Sequence, residues 1–292
     1  MNLLLSSVSF GLITAAVLSI AAVGFTLQFA VTDVLNLAFG AVMIVSAYVA
    51  YAVNSLGVSV WVGVAAAAVT GAVVSLALNK GVYTPFKRRG ITPIAMVIVA
   101  LGMTLILEFG LQAVVGADSV SYRLDQGPRI GIGSLRFSLV QLVILGLALV
   151  IMAAVHVLLR YSRLGKAMRA TAANPSLARN SGIRTDQVVT VTWAISGALC
   201  GIAGSIFAID AGSFGATSTD LFLVLILAAV FLGGPGPGVR RHARRGGHRA
   251  QHRGRRGIHH PCLQGRHRLR PAPGHARAAP DRPARQPNLT RD

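Results

Sequence analysis

Few side chains in the first 238 residues could do chemistry, and most of those interrupt long apolar runs. In FAVTDVLNLAFGA (29–41), Asp33 and Asn36 are three residues apart and Gly40 follows four residues later. On a helix this spacing places all three on one face. Because an unpaired polar group is costly in hydrocarbon, that face is expected to line a bundle interior or a water-filled path, with the helix interrupted there. The structural alternative is that Asp33 caps a helix in a tight turn and Asn36 hydrogen-bonds a neighbouring helix.

A second ionisable group, Glu108, lies within the apolar run LGMTLILEFGLQ. An acid inside a membrane-spanning segment suggests a proton relay, and ion-coupled transport through Asp33 and Glu108 is one hypothesis. A relay normally uses several such groups, and few others are present. The sequence therefore favours a hydrogen-bonded, structural Glu108.

Motifs for catalysis and metal binding are missing from the chain. It has no GxxxxGK[ST] phosphate loop, no HExxH and no GxSxG. The two cysteines, Cys200 and Cys262, form no disulfide framework or metal-ligand pattern. We predict that the chain is not an enzyme, with no catalytic residue, metal site or cofactor. Any energy source other than an ion gradient must then reside on another chain.

The composition divides the chain into two parts. The whole chain has a mean hydropathy of +0.61, 53% hydrophobic residues and a net charge of +19. Residues 1–238 contain 13 Lys and Arg against 7 Asp and Glu, whereas residues 239–292 contain 15 against 2. The basic signal therefore belongs to the tail, and the apolar remainder indicates a membrane protein rather than a soluble globule.

Apolar runs near 20 residues long recur along residues 1–238 and are long enough to cross a bilayer. They predict an all-α, polytopic membrane helix bundle with six full spans and a truncated seventh. The predicted spans are about 8–31, 34–54, 57–79, 94–116, 138–159 and 188–209, followed by the short run 221–233.

Basic residues concentrate in the loops 80–89 and 160–184, which two predicted spans separate. The two loops therefore lie on one side, which the positive-inside rule makes cytoplasmic. The segments 117–137 and 210–220 then face outward, as does the N-terminus. Partial alternation of apolar and polar residues over 129–137 predicts a small hairpin.

The second basic loop, RYSRLGKAMRATAANPSLARNSGIRTDQ (160–187), is predicted to be ordered. Residues 163–173 can form a short helix with an amphipathic pattern. Asn174 and Pro175 then stop that helix and start a second one, with Asn as N-cap and Pro at the first helical position, which ends near Gly182. The loop thus reads as two helices lying along the inner membrane face.

This helix pair presents basic side chains on one face and apolar ones on another. Exposed Leu and Met on an ordered cytoplasmic helix pair indicate a docking surface for a partner. The alternative is an interfacial helix resting on anionic lipid headgroups. The basic residues are Arg163, Lys166 and Arg169, and the apolar face contains Leu164, Ala167, Met168 and Thr171.

The last full span begins and packs through recognisable residues. Thr185 is predicted as its N-cap, with Asp186 in an acidic first turn. In SGALCGIAGS (196–205), Gly197, Gly201 and Gly204 would let another helix approach closely. We assign these glycines a packing role.

The chain resembles the inner-membrane permeases of branched-chain amino acid ABC importers. The resemblance covers about residues 8–238. It is carried by GFTLQFAVTDVLNLAFGAVMIVSAYVAY (24–51), GVYTPFKRRGITPIAMVIVALGMTLILE (81–108), RLGKAMRATAANPSLARNSGI (163–183) and SGALCGIAGSIFA (196–208). The last two stretches, in this order and spacing, are the most specific.

This resemblance implies a helical permease in the bacterial inner membrane that carries branched-chain or similar small amino acids. Its implied partners are a second, homologous permease, two cytoplasmic ATP-binding subunits, an external solute-binding protein and membrane lipid, with no nucleic acid. ATP is used by the partner subunits and not by this chain. The implied ATPase-docking residues are Arg163, Leu164, Gly165, Lys166, Met168, Arg169, Ala170, Asn174, Pro175, Ala178 and Gly182.

The resemblance also implies that the Asp33–Gly40 segment lies along the translocation path. One departure affects this site, because the family usually has Asn-Phe-Ala-His-Gly where this chain has Asn36-Leu-Ala-Phe39-Gly40. The loss of the His leaves substrate preference within the family open. The pathway candidates are Asp33, Asn36, Phe39, Gly40 and Glu108.

The tail is the second departure from the family. Residues 1–238 form the predicted permease domain, incomplete at its C-terminal end, and residues 239–292 an Arg/His/Gly/Pro-rich tail predicted to be disordered. A basic tail for nucleic acid or acidic lipid and an unrelated extension are alternatives. The complete lack of Lys in the tail favours out-of-frame translation. We therefore expect impaired transport.

Overall fold

A computed structural model describes residues 2–124, 129–132 and 135–233. The predicted tail, 239–292, lies outside the described residues. The helices are α1 (Asn2–Thr32), α2 (Phe39–Ser55), α3 (Val60–Leu78), α4 (Thr84–Arg88), α5 (Pro93–Val115), α6 (Leu139–Tyr161), α7 (Arg163–Ala173), α8 (Pro175–Asn180), α9 (Thr185–Ala211) and α10 (Asp220–Leu232), with a π-helical turn at Asn79–Tyr83 and two strands, β1 (Arg129–Ile132) and β2 (Leu135–Ser138).

The predicted membrane helix bundle is confirmed, but the number of full spans differs from the prediction. Among the described residues, five helices are long and apolar enough to cross a membrane. The predicted span 34–54 is instead the 17-residue α2, because the chain is not helical between Thr32 and Phe39. α10 is a shorter apolar helix of 13 residues, as the short run 221–233 predicts. The prediction of six full spans is therefore not established.

Helix α9 lies at the centre of the bundle and contacts α1, α2 and α3. Its glycines lie where backbones cross. A Cβ atom on Gly201 would overlap the carbonyl oxygen of Ala67, and one on Gly197 would overlap that of Gly71. Gly204 faces the carbonyl oxygen of Met43 in the same way. The backbones of α9, α3 and α2 thus come together without intervening side chains, as small residues permit.

The two basic loops meet at one end of the bundle. Lys87 Nζ donates a hydrogen bond of 2.8 Å to the carbonyl oxygen of Thr32, at the end of α1. The neighbouring turn of α1, at Ala30, lines a cleft together with Met168 and Arg169 of α7. This arrangement confirms that the two loops share a side, which the positive-inside rule assigns to the cytoplasm.

The predicted outward segments meet at the opposite end. Val120 and Phe214 exchange two backbone hydrogen bonds of 2.9 Å. Tyr122 donates to the carbonyl oxygen of Ala47 over 2.8 Å, and its burial raises the pKa of the phenol above its usual range. In the hairpin segment, β1 and β2 pair antiparallel, with Arg129 opposite Ser138. The segment at Val120 is thus joined to Phe214, and Tyr122 to α2, at this end of the bundle.

Candidate functional sites

The Asp33–Gly40 segment is a break between two helices and not one helical face. α1 ends at Thr32, and Asp33 has a positive φ of 56°. Phe39, where α2 starts, stacks edge-on against Phe25 of α1, with 5.6 Å between the ring centroids. Phe25 lies two turns before the end of α1, about 10 Å along its axis. The chain therefore turns back along α1, and α2 begins inside the bundle, so the predicted shared helical face does not exist.

Local and distant groups together stabilise the end of α1. Aspartate tolerates a left-handed backbone better than most residues, which suits the turn at Asp33. The Thr32 hydroxyl bonds the carbonyl oxygen of Gln28 and accepts from the Val34 amide. Lys87 reaches the last carbonyl and lies close enough to Asp33 for their charges to attract. Asp33 itself is exposed.

Beyond the turn, Asn36 belongs to a buried polar cluster. Its Oδ1 accepts a 2.6 Å hydrogen bond from the Tyr83 hydroxyl, and the Tyr83 ring lies 5.0 Å from that of Trp193. One turn along α9, the Ser196 hydroxyl is shared between the Gly24 carbonyl oxygen and Gln28 Oε1. Within the described residues, Gln28 Nε2 and Trp193 Nε1 have no hydrogen-bond partner. The break is thus lined by polar groups inside the bundle.

The start of α2 is packed on every side. The Phe39 carbonyl oxygen accepts from the Cys200 thiol at 3.2 Å, and that of Gly40 accepts from the Thr219 hydroxyl at 2.9 Å. A Cβ on Gly40 would lie 3.3 Å from that of Leu223, so this helix start holds α10 close. Asn36, Phe39 and Gly40 are all buried and do not line an open passage in this conformation.

Glu108 lies apart from this cluster. It is buried on α5, with its side chain in hydrogen-bonding contact with Asp220 in the first turn of α10. Asp33, by contrast, is beside Lys87. The two acids thus have different partners. The structure does not bring them together in a relay, and the ion-coupled alternative is not favoured.

The predicted pair of cytoplasmic helices is confirmed as α7 and α8. Ser162 caps α7 by accepting from the Gly165 amide at 2.8 Å. Asn174 caps α8, its Oδ1 accepting from the amides of Ser176 and Leu177, each at 3.2 Å, and Pro175 is the first residue of α8. The cap and the proline fix the bend between the two helices through local contacts alone.

Helix α7 is fastened to the bundle by its apolar face, which corrects one expectation. Met168 and Thr171 are each only 1% exposed, so this methionine is not part of an exposed surface. Gly165 lies against the carbonyl oxygens that end α6, where a Cβ would not fit, and Arg169 Nη1 donates to the Leu159 carbonyl oxygen. An amphipathic helix beside a bundle buries its apolar side, and α7 does so.

The exposed apolar group of this region is on α8. Leu177 is 62% exposed, whereas Ala178, next to it, is buried. Gly182 ends the segment with a φ of 82°, which a side chain would strain. Of the implied docking residues, Gly165, Met168 and Ala178 are buried, Leu164 and Ala170 are half-buried, and Arg163, Lys166, Arg169, Asn174, Pro175 and Gly182 are exposed.

The junction with α9 differs by one residue from the prediction. Arg184, not Thr185, is the N-cap, and no side chain caps the helix. Thr185 is the first helical residue, and its hydroxyl accepts from Arg179 Nε and Nη2 at 3.3 and 3.1 Å. Asp186 is in the first turn as predicted and lies 3.6 Å from Arg179. Arg179 thereby joins α8 to α9.

Several residues of these sites escape sequence reasoning. Tyr83 and Ser196 lie in stretches that carry the family resemblance but were given no role, and Trp193 lies in none of them. Only the folding of the chain brings these residues close to Asn36. Gln28 carried the one available signal, because it is the single amide in the apolar run before Thr32. A polar residue in such a run indicates an interior contact.

Residues 7–240, most of the chain, match the family described as "Branched-chain amino acid transport system / permease component". The chain belongs to this permease family. With its apolar helices, it is a multi-pass inner-membrane protein. Within the described residues, no group of three or more His, Cys, Asp or Glu could hold a metal ion.

Individual permeases are similar over most of this chain. A probable branched-chain amino acid transport permease, LivH, of Methanocaldococcus jannaschii is 30% identical over 76% of this chain and 72% of its own length. The high-affinity LivH permease of Escherichia coli K12 is 28% identical over 66% and 67%, respectively. The galactofuranose transporter permease YtfT of the same organism is 30% identical over 75% and 62%. No solved structure matches the chain.

Proposed function

We propose that this permease is the membrane-spanning subunit of an ATP-driven importer for branched-chain or similar small amino acids. It would work with a second permease subunit, two cytoplasmic ATP-binding subunits and an external solute-binding protein. The chain itself would bind no nucleotide or other cofactor. Family membership and the names of its relatives support this proposal.

The observation that carries the proposal is the rigid attachment of α7 and α8. α7 contacts α1, α6 and α9, and α8 is joined to α9 through Arg179. Because these contacts are direct and no flexible linker intervenes, a movement of this helix pair would be transmitted to three spanning helices. At the same time α8 presents the exposed, apolar side chain of Leu177 to the cytoplasm, and burying that side chain against a partner would be favourable. We assign the contact with an ATP-binding subunit to this surface.

Leu177→Asp tests the docking surface. In proteoliposomes that contain the permease and the ATP-binding subunits of its own system, uptake of leucine supplied by the binding protein should fall at least about tenfold, and the ATP-binding subunit should no longer co-purify. Asn180→Asp adds the same charge three residues away without removing an apolar anchor, and should retain uptake. Uptake that persists without the ATP-binding subunits would contradict the proposal.

We propose further that the break at residues 33–38 lies beside the translocation path. Non-helical backbone at membrane depth is tolerated only where it is buried in protein or lines a cavity. In other transporters, interrupted helices of this kind form substrate sites. The buried amides of Gln28 and Asn36 support the same proposal, because polar groups inside a membrane bundle are costly to retain.

Phe39→His, which restores the residue usual in the family, tests the path. Because the ring lies at the break, we expect the ratio of leucine uptake to uptake of a small polar amino acid to change by about tenfold. Phe39→Leu keeps an apolar group and should preserve the ratio. Galactose is included among the solutes because one relative is named for galactofuranose. If the folded Phe39→His protein has an unchanged ratio of leucine uptake to polar amino acid uptake, Phe39 does not lie beside the translocation path.

We propose, finally, that the basic tail impairs transport. The family match stops at residue 240, and α10 has 13 residues, fewer than the roughly 20 that cross a bilayer unaided. Restoring the alternative reading frame near residues 233–238 should increase binding-protein-dependent uptake. Equal uptake from both forms would remove the frame-slip explanation while leaving the importer proposal intact.

A further inference from the structure

A cleft opens between four helices at the cytoplasmic end of the bundle. It has a volume of about 530 Å³ and is walled by α1, α6, α7 and α10. Ala30 of α1, Leu159 of α6, Met168 of α7 and Val230 of α10 represent the four walls. The volume is within the range of ~300–1,000 Å³ typical of small-molecule sites. Nearly all of the lining is apolar, so the cleft is suited to an apolar molecule.

One charged side chain, that of Arg169, lies at this apolar cleft. Among the described residues that line the cleft, Arg169 alone is charged, and its side chain is exposed. Its Nη1 donates to the Leu159 carbonyl oxygen, which holds the guanidinium at the junction of α6 and α7. In the described part of the chain no acidic side chain pairs with it. Its remaining N–H groups form a fork suited to a phosphate.

We propose that this cleft binds one anionic phospholipid of the cytoplasmic leaflet, with an acyl chain against α1 and α10 and the phosphate on Arg169. Two of the walls, α1 and α6, are long and apolar enough to span the membrane, and α10 is also apolar, so the apolar molecules that surround them there are lipid chains. Basic pockets between spanning helices on the cytoplasmic side are suited to anionic headgroups. Lys166 and Arg163, exposed on the same helix, add to the local positive potential.

Two other occupants fit less well. Residues 234–292 follow directly after Gly233 at the cleft, but they contain no apolar run that could fill it. A second copy of the chain would bring its own apolar face against the cleft but would leave Arg169 without a counter-charge. The charge at the cleft therefore favours phospholipid over both.

Lipid retention by the purified full-length chain tests the proposal. The protein is incubated with equal amounts of phosphatidylglycerol and phosphatidylcholine with identical acyl chains, and bound lipid is counted by native mass spectrometry. One phosphatidylglycerol should be retained in preference to phosphatidylcholine by about fivefold or more. Arg169→Gln should abolish this preference, whereas Arg89→Gln, which removes an exposed charge from the other cytoplasmic loop, should preserve it.

Filling the cleft separates a specific site from general charge attraction. Ala30→Phe should prevent retention of both lipids, and Ala153→Phe on the exposed side of α6 should not. Should Ala30→Phe fail to fold, a phosphatidylglycerol with a photoreactive acyl chain is cross-linked to the unaltered protein, and labelled peptides must come from α1 or α10. Equal retention of the two lipids, labelling elsewhere, or a lipid-free dimer would each overturn the proposal.

Discussion

Helices α9 and α6 are both long enough to span the membrane, yet the more apolar of the two is the less buried. α6 is the more apolar of the two, but only 17% of its spanning window is buried, against 72% for α9. α6 presents large side chains such as Leu149 and Val150 outward, while α9 turns its glycines and Ser196 inward. High hydropathy therefore marks the helix that faces lipid, and small or polar residues mark the helix that packs.

The physical reason is that lipid solvates a leucine side chain about as well as a protein interior does. Burial of apolar area therefore drives the association of helices only weakly in a membrane. Close backbone packing and hydrogen bonds between helices contribute more. If this contrast is correct, equal substitutions on α9 and α6 should have unequal effects.

The largest effect should come from a glycine. Gly201→Leu places a side chain where the Ala67 carbonyl oxygen already lies, so α9 and α3 must separate at a cost of about 3 kcal/mol or more. A Cβ atom on Gly146 of α6 would meet no atom within 4 Å, so Gly146→Leu should leave stability unchanged. Thermal stability, measured by the loss of monodisperse protein in size-exclusion chromatography, compares the two. Equal losses of thermal stability in the two variants would contradict the proposed difference between α9 and α6.

Truncating a leucine should give a smaller difference of the same sign. Leu199 on α9 is 6% exposed, so Leu199→Ala removes a buried side chain and should destabilise the protein by about 2 kcal/mol. Leu149 on α6 is 66% exposed, and lipid can fill the space that Leu149→Ala leaves. Reversible unfolding in mixed micelles measures both. A substantial loss at Leu149 would indicate that α6 packs against something on that face.

A buried hydroxyl should contribute less again. Ser196→Ala removes the hydrogen bond to the Gly24 carbonyl oxygen and leaves Gln28 Oε1 without a partner, at a cost of about 1–2 kcal/mol. His156→Ala, an exposed polar position on α6, serves as its control. The same unfolding assay applies. No effect at Ser196 would show that water replaces the hydroxyl.

The smallest effect should come from the exposed end of α9. Asp186 and Arg179 lie 3.6 Å apart, but their side chains are 89% and 68% exposed. Solvent screens such pairs, so Asp186→Asn should change stability by less than about 0.5 kcal/mol. A larger change that disappears in 0.5 M salt would show that this ion pair helps to hold α8 on α9.

Sequence reasoning succeeds here where the determinants are local. The boundary between α7 and α8 follows from Asn174 and Pro175, which are neighbours in the chain. The predicted membrane bundle follows from apolar runs, whose length the bilayer imposes. In these regions the residues that determine the structure lie within the segment itself, and the structure agrees with the prediction.

The reasoning fails where a residue depends on a distant partner. The 3–4 spacing suggested one helical face for Asp33 and Asn36, and that interpretation is wrong. The alternative, an Asn36 side chain bonded to a neighbouring helix, is confirmed, but the sequence did not show that the partner is Tyr83, 47 residues later. The favoured prediction of a hydrogen-bonded Glu108 agrees with the structure, but the sequence did not identify its partner, Asp220. Met168, predicted to be exposed, is covered by the bundle. Periodicity does not reveal such contacts, because the returning chain creates them.

The bond from Lys87 to the end of α1 has a consequence for biogenesis. The two residues are 55 positions apart, so the Thr32 carbonyl has no such donor until α3 has been threaded into the bilayer and the first basic loop has emerged. A newly made α1 therefore lacks the hydrogen bond that later fixes its C-terminal end. We therefore expect the end of α1 to be fixed only after α2, α3 and the loop that carries Lys87 have been synthesised.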